Sequence, residues 1–151
     1  MPTSRTRLAA EAWGSVLRAH AALVPVMDRR VRAEGGIPLS WYDVMLELSY
    51  APDRRLTMSE LAERAVLSRT RISRLVDELI DVGYVARDAH PDDRRSAYAV
   101  LTDKGAQRFA AVAPFYRAAI NEEFAAELTN DELVVIRDAL GRLAATSSAR
   151  Q

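Results

Sequence analysis

The sequence predicts a mainly α-helical chain interrupted by one small β-hairpin. Three observations carry that expectation. Apolar residues recur at steps of three and four along most of the chain, the period changes to two on either side of "DAHPDDRRS", and glycine and proline are sparse. With 151 residues and 49% hydrophobic content, there is material for one domain with a true core.

The first helix is marked by Trp13, Val16, Leu17, His20, Leu23, Val24 and Met27, which share one face. Pro25 is expected to kink it or divide it in two. "EGGIPL" (Glu34–Leu39) reads as a loop, and Ser40 as the N-cap of a second helix that buries Val44, Met45 and Leu48. "APDRR" ends that helix. Thr57 and Glu60 have capping-box spacing and open a short helix with Leu61, Ala62 and Ala65 inward. Ser68 caps the next, whose stripe is Ile72, Leu75, Val76, Leu79 and Ile80, with Gly83 suited to its end. Two short helices joined by so tight a turn must cross steeply, as in a helix-turn-helix.

After Gly83, "YVAR" and "AYAVL" read as the two strands of the hairpin. Thr102 caps a long helix that Pro114 is expected to bend, with Phe109, Val112, Phe115, Tyr116, Ile120 and Phe124 apolar. Thr129 and Glu132 form a second capping box before a final stripe of Leu133, Ile136, Leu140 and Leu143.

Composition excludes several classes of function. Cysteine is absent, which removes disulfides, thiolate metal sites, cysteine nucleophiles and thiol redox sensing. No catalytic triad, metal-ligand cluster or glycine-rich phosphate loop is present, and His20 and His90 stand far apart, so neither an enzyme nor a cofactor is expected. No run is apolar enough to span a membrane, and the N-terminus lacks a signal-peptide core, so a cytoplasmic location is the expectation. Twenty-one acids balance twenty-one bases, so an argument for a nucleic-acid partner has to be local.

That local argument begins on the Ser68–Val82 helix. With its apolar stripe inward, Thr70 and Arg74 point away from the core, flanked by Arg71, Ser73 and Asp77. Charge is divided along the axis: Arg69, Arg71 and Arg74 come first, then Asp77, Glu78 and Asp81. Acids near a helix C-terminus oppose the macrodipole, so helix stability does not explain the order. A major groove does, because the N-terminal half of a recognition helix offers guanidinium groups to guanine edges or phosphates. The acidic half is expected to face away from the DNA backbone or to be repelled by it. At the hairpin tip, Asp92, Asp93, Arg94 and Arg95 suit a wing whose arginine enters the narrow minor groove with a carboxylate beside it.

"LSRTRISRLVDELIDVGYVARDAHPDDRRSAYAVLTDKG" resembles the MarR family of winged-helix transcriptional regulators. The matching features are the Ser68 cap, Leu75, Leu79, "GYVAR", and a wing signature formed by Asp93, Arg95, Leu101 and Thr102; "LSWYDVMLEL" and "MSELAERAVLS" are similar to earlier family helices. The turn "AVL" departs from patterns that place a glycine there. The resemblance implies a homodimer whose terminal helices, about residues 8–34 and 103–146, interlock around winged-helix lobes of about residues 40–101. The two lobes would read a pseudo-palindromic duplex. It assigns Arg95 to the minor groove with Asp93 as its partner, Arg94 to phosphate, and Ser68, Arg69, Thr70, Arg71, Ser73 and Arg74 to the recognition helix.

The resemblance further implies repression relieved by a small aromatic, anionic effector. A urate-responsive subset uses a residue set similar in type and order to Trp13, Asp43, Arg74 and Arg87. Two guanidiniums could hold an anion, Trp13 could stack on a ring, and Asp43 could accept from ring N–H groups. Each has a structural alternative. Trp13 and His20 suit a core stripe, Asp43 suits the first turn of a helix, and Arg87 suits an ion pair with Asp88, Asp77 or Glu78; Trp41 and Tyr42 suit either a cleft or packing. A winged helix that binds protein instead of DNA is the competing class, and it would have no use for the wing arginine.

Overall fold

Nothing breaks the first helix at Pro25. In the computed structural model, which describes residues 4–65 and 67–149, α1 runs from Ser4 to Arg30 with Pro25 inside it. Proline removes one amide donor, and the residues beyond it are pinned: Met27 and Val31 are buried, and Arg30 is held by three carboxylates. The departure from α geometry comes later, as a wide π turn over Val31–Gly35. Gly36 ends it at φ 72°, donating its N–H to the Arg32 carbonyl at 3.0 Å. The expected loop over Glu34–Leu39 therefore shrinks to its middle residues.

Ser40 is not the cap of the second helix. That helix, α2 (Leu39–Tyr50), starts after an extended Pro38, and the Leu39 N–H donates to Asp28 Oδ1 at 2.9 Å. A carboxylate of α1 thus satisfies an orphan donor eleven residues on. Burial pulls the Asp28 carboxyl upward, but the Arg32 side chain and this amide outweigh it and hold the group below its ordinary value. Val44, Met45 and Leu48 are fully buried, as the periodicity requires.

A third strand joins the hairpin. β1 (Arg55–Thr57), β2 (Val85–Ala89) and β3 (Ala97–Leu101) form an antiparallel sheet in the order β1-β3-β2, with Leu56 and Arg87 both opposite Ala99. The capping box of Thr57 and Glu60 opens α3 (Met58–Arg64). Ser68 accepts the Arg71 N–H at the start of α4 (Arg69–Asp81). Val66, in the glycine-free turn between them, lies outside the described residues. Gly83 closes α4 at φ 78°, with the Tyr84 N–H donating to the Leu79 carbonyl at 2.9 Å.

Thr102 caps α5 (Asp103–Ala119), which continues through Pro114 into a second π turn over Ile120–Ala125; Thr129 and Glu132 box the start of α6 (Asn130–Ser148). The two π turns meet at Arg30, whose guanidinium reaches Glu34, Glu122 and Glu123 at 2.6–3.2 Å. The core lies between α2, α3, α4, the sheet and α5. Tyr42 stacks on Phe109 with centroids 4.9 Å apart and meets Tyr116 edge-on at 5.0 Å.

The outer faces of α1 and α6 are uncovered. Trp13 is 63% exposed, with Leu8, Leu17, Val135 and Leu143 similarly open. Trp13 and His20 therefore do not lie in the core of this chain, although the stripe they share is real.

Candidate nucleic-acid interface

The exposed face of α4 and the wing form the two walls of one open cleft of about 900 Å³. Arg69, Thr70, Ser73 and Arg74 contribute from the helix, Asp93 and Arg95 from the wing. Ile72, Leu75, Val76 and Leu79 are buried beneath the helix, and that anchoring turns Thr70, Arg71 and Arg74 outward. Ser73 is half-buried. Ser68 is occupied as the cap, and the Arg69 guanidinium donates to Ser59 Oγ of α3.

The wing tip is shaped by its own carboxylate. Asp93 Oδ1 accepts the backbone N–H of Arg95 at 2.9 Å, and the Asp93 carbonyl accepts from Ser96 at 3.1 Å. Asp93 thus acts on the Arg95 main chain, setting the turn from which the side chain projects. Arg94 and Arg95 are exposed. The base of the wing is stiffened by ring contacts: His90 stacks on Tyr98 at 4.9 Å, and the Arg55 guanidinium lies 4.8 Å from the Tyr98 centroid. His90 Nδ1 also accepts the Asp92 N–H at 3.1 Å.

The acidic half of α4 is not simply turned away. Asp77 Oδ1 accepts from the Arg87 guanidinium of β2 at 2.9 Å, within the cleft, and Glu78 Oε2 accepts from Trp41 Nε1 of α2 at 2.8 Å. Neighbouring acids thus tie α4 to the wing on one side and to α2 on the other. Sequence reasoning placed Arg87 beside Asp77 only as one of several pairings; it had no signal for Trp41 and Glu78, which are far apart in the chain.

Trp13, Asp43, Arg74 and Arg87 are not gathered at one place in this chain. Arg74 and Arg87 share the cleft, and Trp13 lies on the outer face of α1. Asp43 lines a separate cavity of about 420 Å³ with Val24, Asp28, Arg32 and Arg71. It sits beyond the first turn of α2, so helix-terminus stabilisation does not explain it. Burial, then the neighbouring Glu47 charge, pushes its carboxyl up to about 6. Burial also raises the Tyr116 hydroxyl, with the Asp43 charge adding to it.

A model of the MarR family matches residues 35–96, from the end of the first π turn through the wing. The structure of Sco3205 from Streptomyces coelicolor, a MarR family transcriptional regulator in complex with DNA, superposes with a TM-score of 0.82 at 30% identity, covering 95% of this chain and 89% of that one. The chain belongs to the MarR family. AbsC, another MarR family regulator of Streptomyces coelicolor, gives a TM-score of 0.82 at 25% identity over 99% of this chain and 98% of its own. Among curated relatives, the HTH-type transcriptional repressor YetL of Bacillus subtilis is 33% identical over 73 residues, 48% of this chain and 44% of YetL. The match thus spans less than half the length of that relative. The fold is that of the family's DNA-binding transcriptional regulators, a mainly helical winged helix-turn-helix with a small antiparallel sheet. Among the described residues, no helix is long and apolar enough to cross a membrane.

Proposed function

We propose that this MarR protein is a sequence-specific double-stranded DNA-binding regulator that acts as a homodimer on a pseudo-palindromic operator. The observation that carries the reading is the shared cleft, in which Arg69 and Arg74 of α4 and Arg95 of the wing face one open space. Thr70, Arg71, Ser73 and Arg74 read the major groove, with Ser68 and Arg69 fixing the helix start; Arg95 enters the minor groove, Arg94 holds phosphate, and Asp93 sets the turn beneath them. The uncovered faces of α1 and α6 support the second chain, since apolar patches of this kind mark association surfaces. Residues of about 8–34 and 103–146 then serve dimerisation, and about 40–101 the DNA-reading lobe.

Repression relieved by a small aromatic anion is the finer reading. The support for it is the cavity that holds Asp43 of the expected set, where Arg71, and Arg32 with its Asp28 partner, line the wall; Arg74 and Arg87 of that set lie in the cleft instead. Arg71 belongs to α4, so an occupant would touch the recognition helix directly.

The test is a mobility shift with DNA from upstream of the protein's own gene, across a range of salt. Phosphate contacts release counterions, so affinity should fall steeply as salt rises. Arg95→Ala should cost about 1–3 kcal/mol, the scale of a specific base contact. Unchanged affinity in that variant would refute the wing assignment. Urate and salicylate titrated into the complex should release DNA, and no release by either would remove the ligand reading alone.

A further inference from the structure

The Asp77–Arg87 pair lies between two elements that a duplex would occupy at once. A helix in the major groove and a wing in the adjacent minor groove are separated by one sugar–phosphate strand. Whatever stands between α4 and the wing faces that strand. Arg87 projects there from β2, opposite Ala99, and Asp77 meets it from the second half of α4 at 2.9 Å. Both side chains remain open to solvent, at 43% and 61%. An exposed pair of this kind is held weakly. An acid beside a phosphate strand is unfavourable for binding, and the macrodipole does not favour an acid late in α4 either.

We propose that Arg87 is a phosphate-gripping residue of the seated complex and that Asp77 holds it in place until a phosphate replaces the carboxylate. The proposal rests on the DNA-binding reading given above. In free protein, Asp77 neutralises Arg87 and fixes the strand at its distance from the helix. On a non-matching duplex α4 stays shallow, the phosphates remain out of reach, and the guanidinium stays with its carboxylate. On a matching duplex, the deeper approach of Arg74 and Arg95 brings a phosphate oxygen to Arg87, which exchanges Asp77 for it. Trp41, bonded to Glu78 at the next position, keeps α4 from shifting during the exchange. A shallow complex keeps the Asp77 pair whereas seating breaks it, so the acid opposes the exchange, and only a duplex that brings a phosphate close enough to replace the carboxylate gains the Arg87 contact.

The experiment uses the full chain, a duplex that the wild-type protein selects from a random-sequence pool, and a shuffled version of that duplex. Affinities are read by fluorescence anisotropy over a salt series. On the selected duplex, Arg87→Ala should reduce the log–log salt slope by about 0.9 for each chain bound, as expected for one lost phosphate contact on B-DNA. On the shuffled duplex its slope should match wild type. R87K should recover the slope, and R87Q should lose it as the alanine variant does, which covers the case of an alanine chain that fails to fold. Asp77→Asn should raise affinity for the selected duplex several-fold and for the shuffled one less, raising the ratio between them. A wild-type slope in both R87A and R87Q, or an unchanged ratio in D77N, overturns the proposal while leaving DNA binding intact. Wild-type protein that selects no duplex and shows no salt-dependent binding overturns the DNA reading and this inference together.

Discussion

Replacing Asp43 with asparagine should stabilise the protein at neutral pH and leave it unchanged in acid. The carboxyl lies among Tyr42, Tyr116 and Glu47, and burial with the Glu47 charge lifts it from 3.8 to about 6. A group whose pKa is higher in the folded chain contributes stability that is fully present below the unfolded value and is lost as pH rises through the folded one. The Asp43 contribution is therefore complete below about pH 4 and gone above about pH 6. A shift of about two units corresponds to about 3 kcal/mol. The side chain is only partly buried, and solvent screening reduces the expected effect to roughly 1–2 kcal/mol. Asparagine keeps the shape and removes the charge. Urea unfolding at about pH 8 should show the variant more stable by that amount, and at about pH 4 the two should coincide. Other titrating groups are common to both proteins and cancel in the difference. Equal or lower stability of the variant at the higher pH would refute the reasoning, and would mean that Arg32 and Arg71 across the cavity stabilise the charged form.

Gly105→Ala should destabilise the fold by about 1–3 kcal/mol, seen as a lower urea midpoint, because the added methyl meets the Tyr84 carbonyl oxygen and lies 2.7 Å from Leu101 Cδ1. The same carbonyl already accepts the Thr102 N–H at 3.1 Å, so it has little freedom to withdraw. Leu143→Glu should leave the helical circular dichroism of the chain intact while converting the proposed dimer to monomer in sedimentation equilibrium, since the residue is 63% exposed in the single chain. A mass unaffected by that substitution would place the subunit contact elsewhere.

What could be read from the sequence was local chemistry. Thr57 with Glu60, Ser68, Gly83, Thr102 and Thr129 with Glu132 each act within a few residues, and each end falls where those residue types put it. The wing was legible because a change of period bracketed a charged turn. Features that depend on distant partners were not. Three residues at Arg55–Thr57 carry too little pattern to declare a strand, and they become one only by pairing with β3. Asp28 caps α2 from another helix, which no capping rule anticipates. Periodicity placed Trp13 and His20 on an apolar stripe but is silent on whether that stripe meets the chain's own core or another molecule. In the cleft, residue types were enough to nominate Arg74 and Arg95. Where Asp77 and Glu78 point depends on β2 and α2.

The two π turns joined at Arg30 bear on a distance the arginines of the cleft do not control. Each widened turn inserts residues that rotate everything downstream about the helix axis, by about 100° for a single residue. In a two-chain assembly the joint would set how far apart and at what angle the recognition helices stand, and half-sites on DNA repeat only about every 34–36 Å. Loss of one residue between Val31 and Gly35 would leave every base-reading side chain in place on its own lobe. It would also leave the pair of lobes out of step with the double helix.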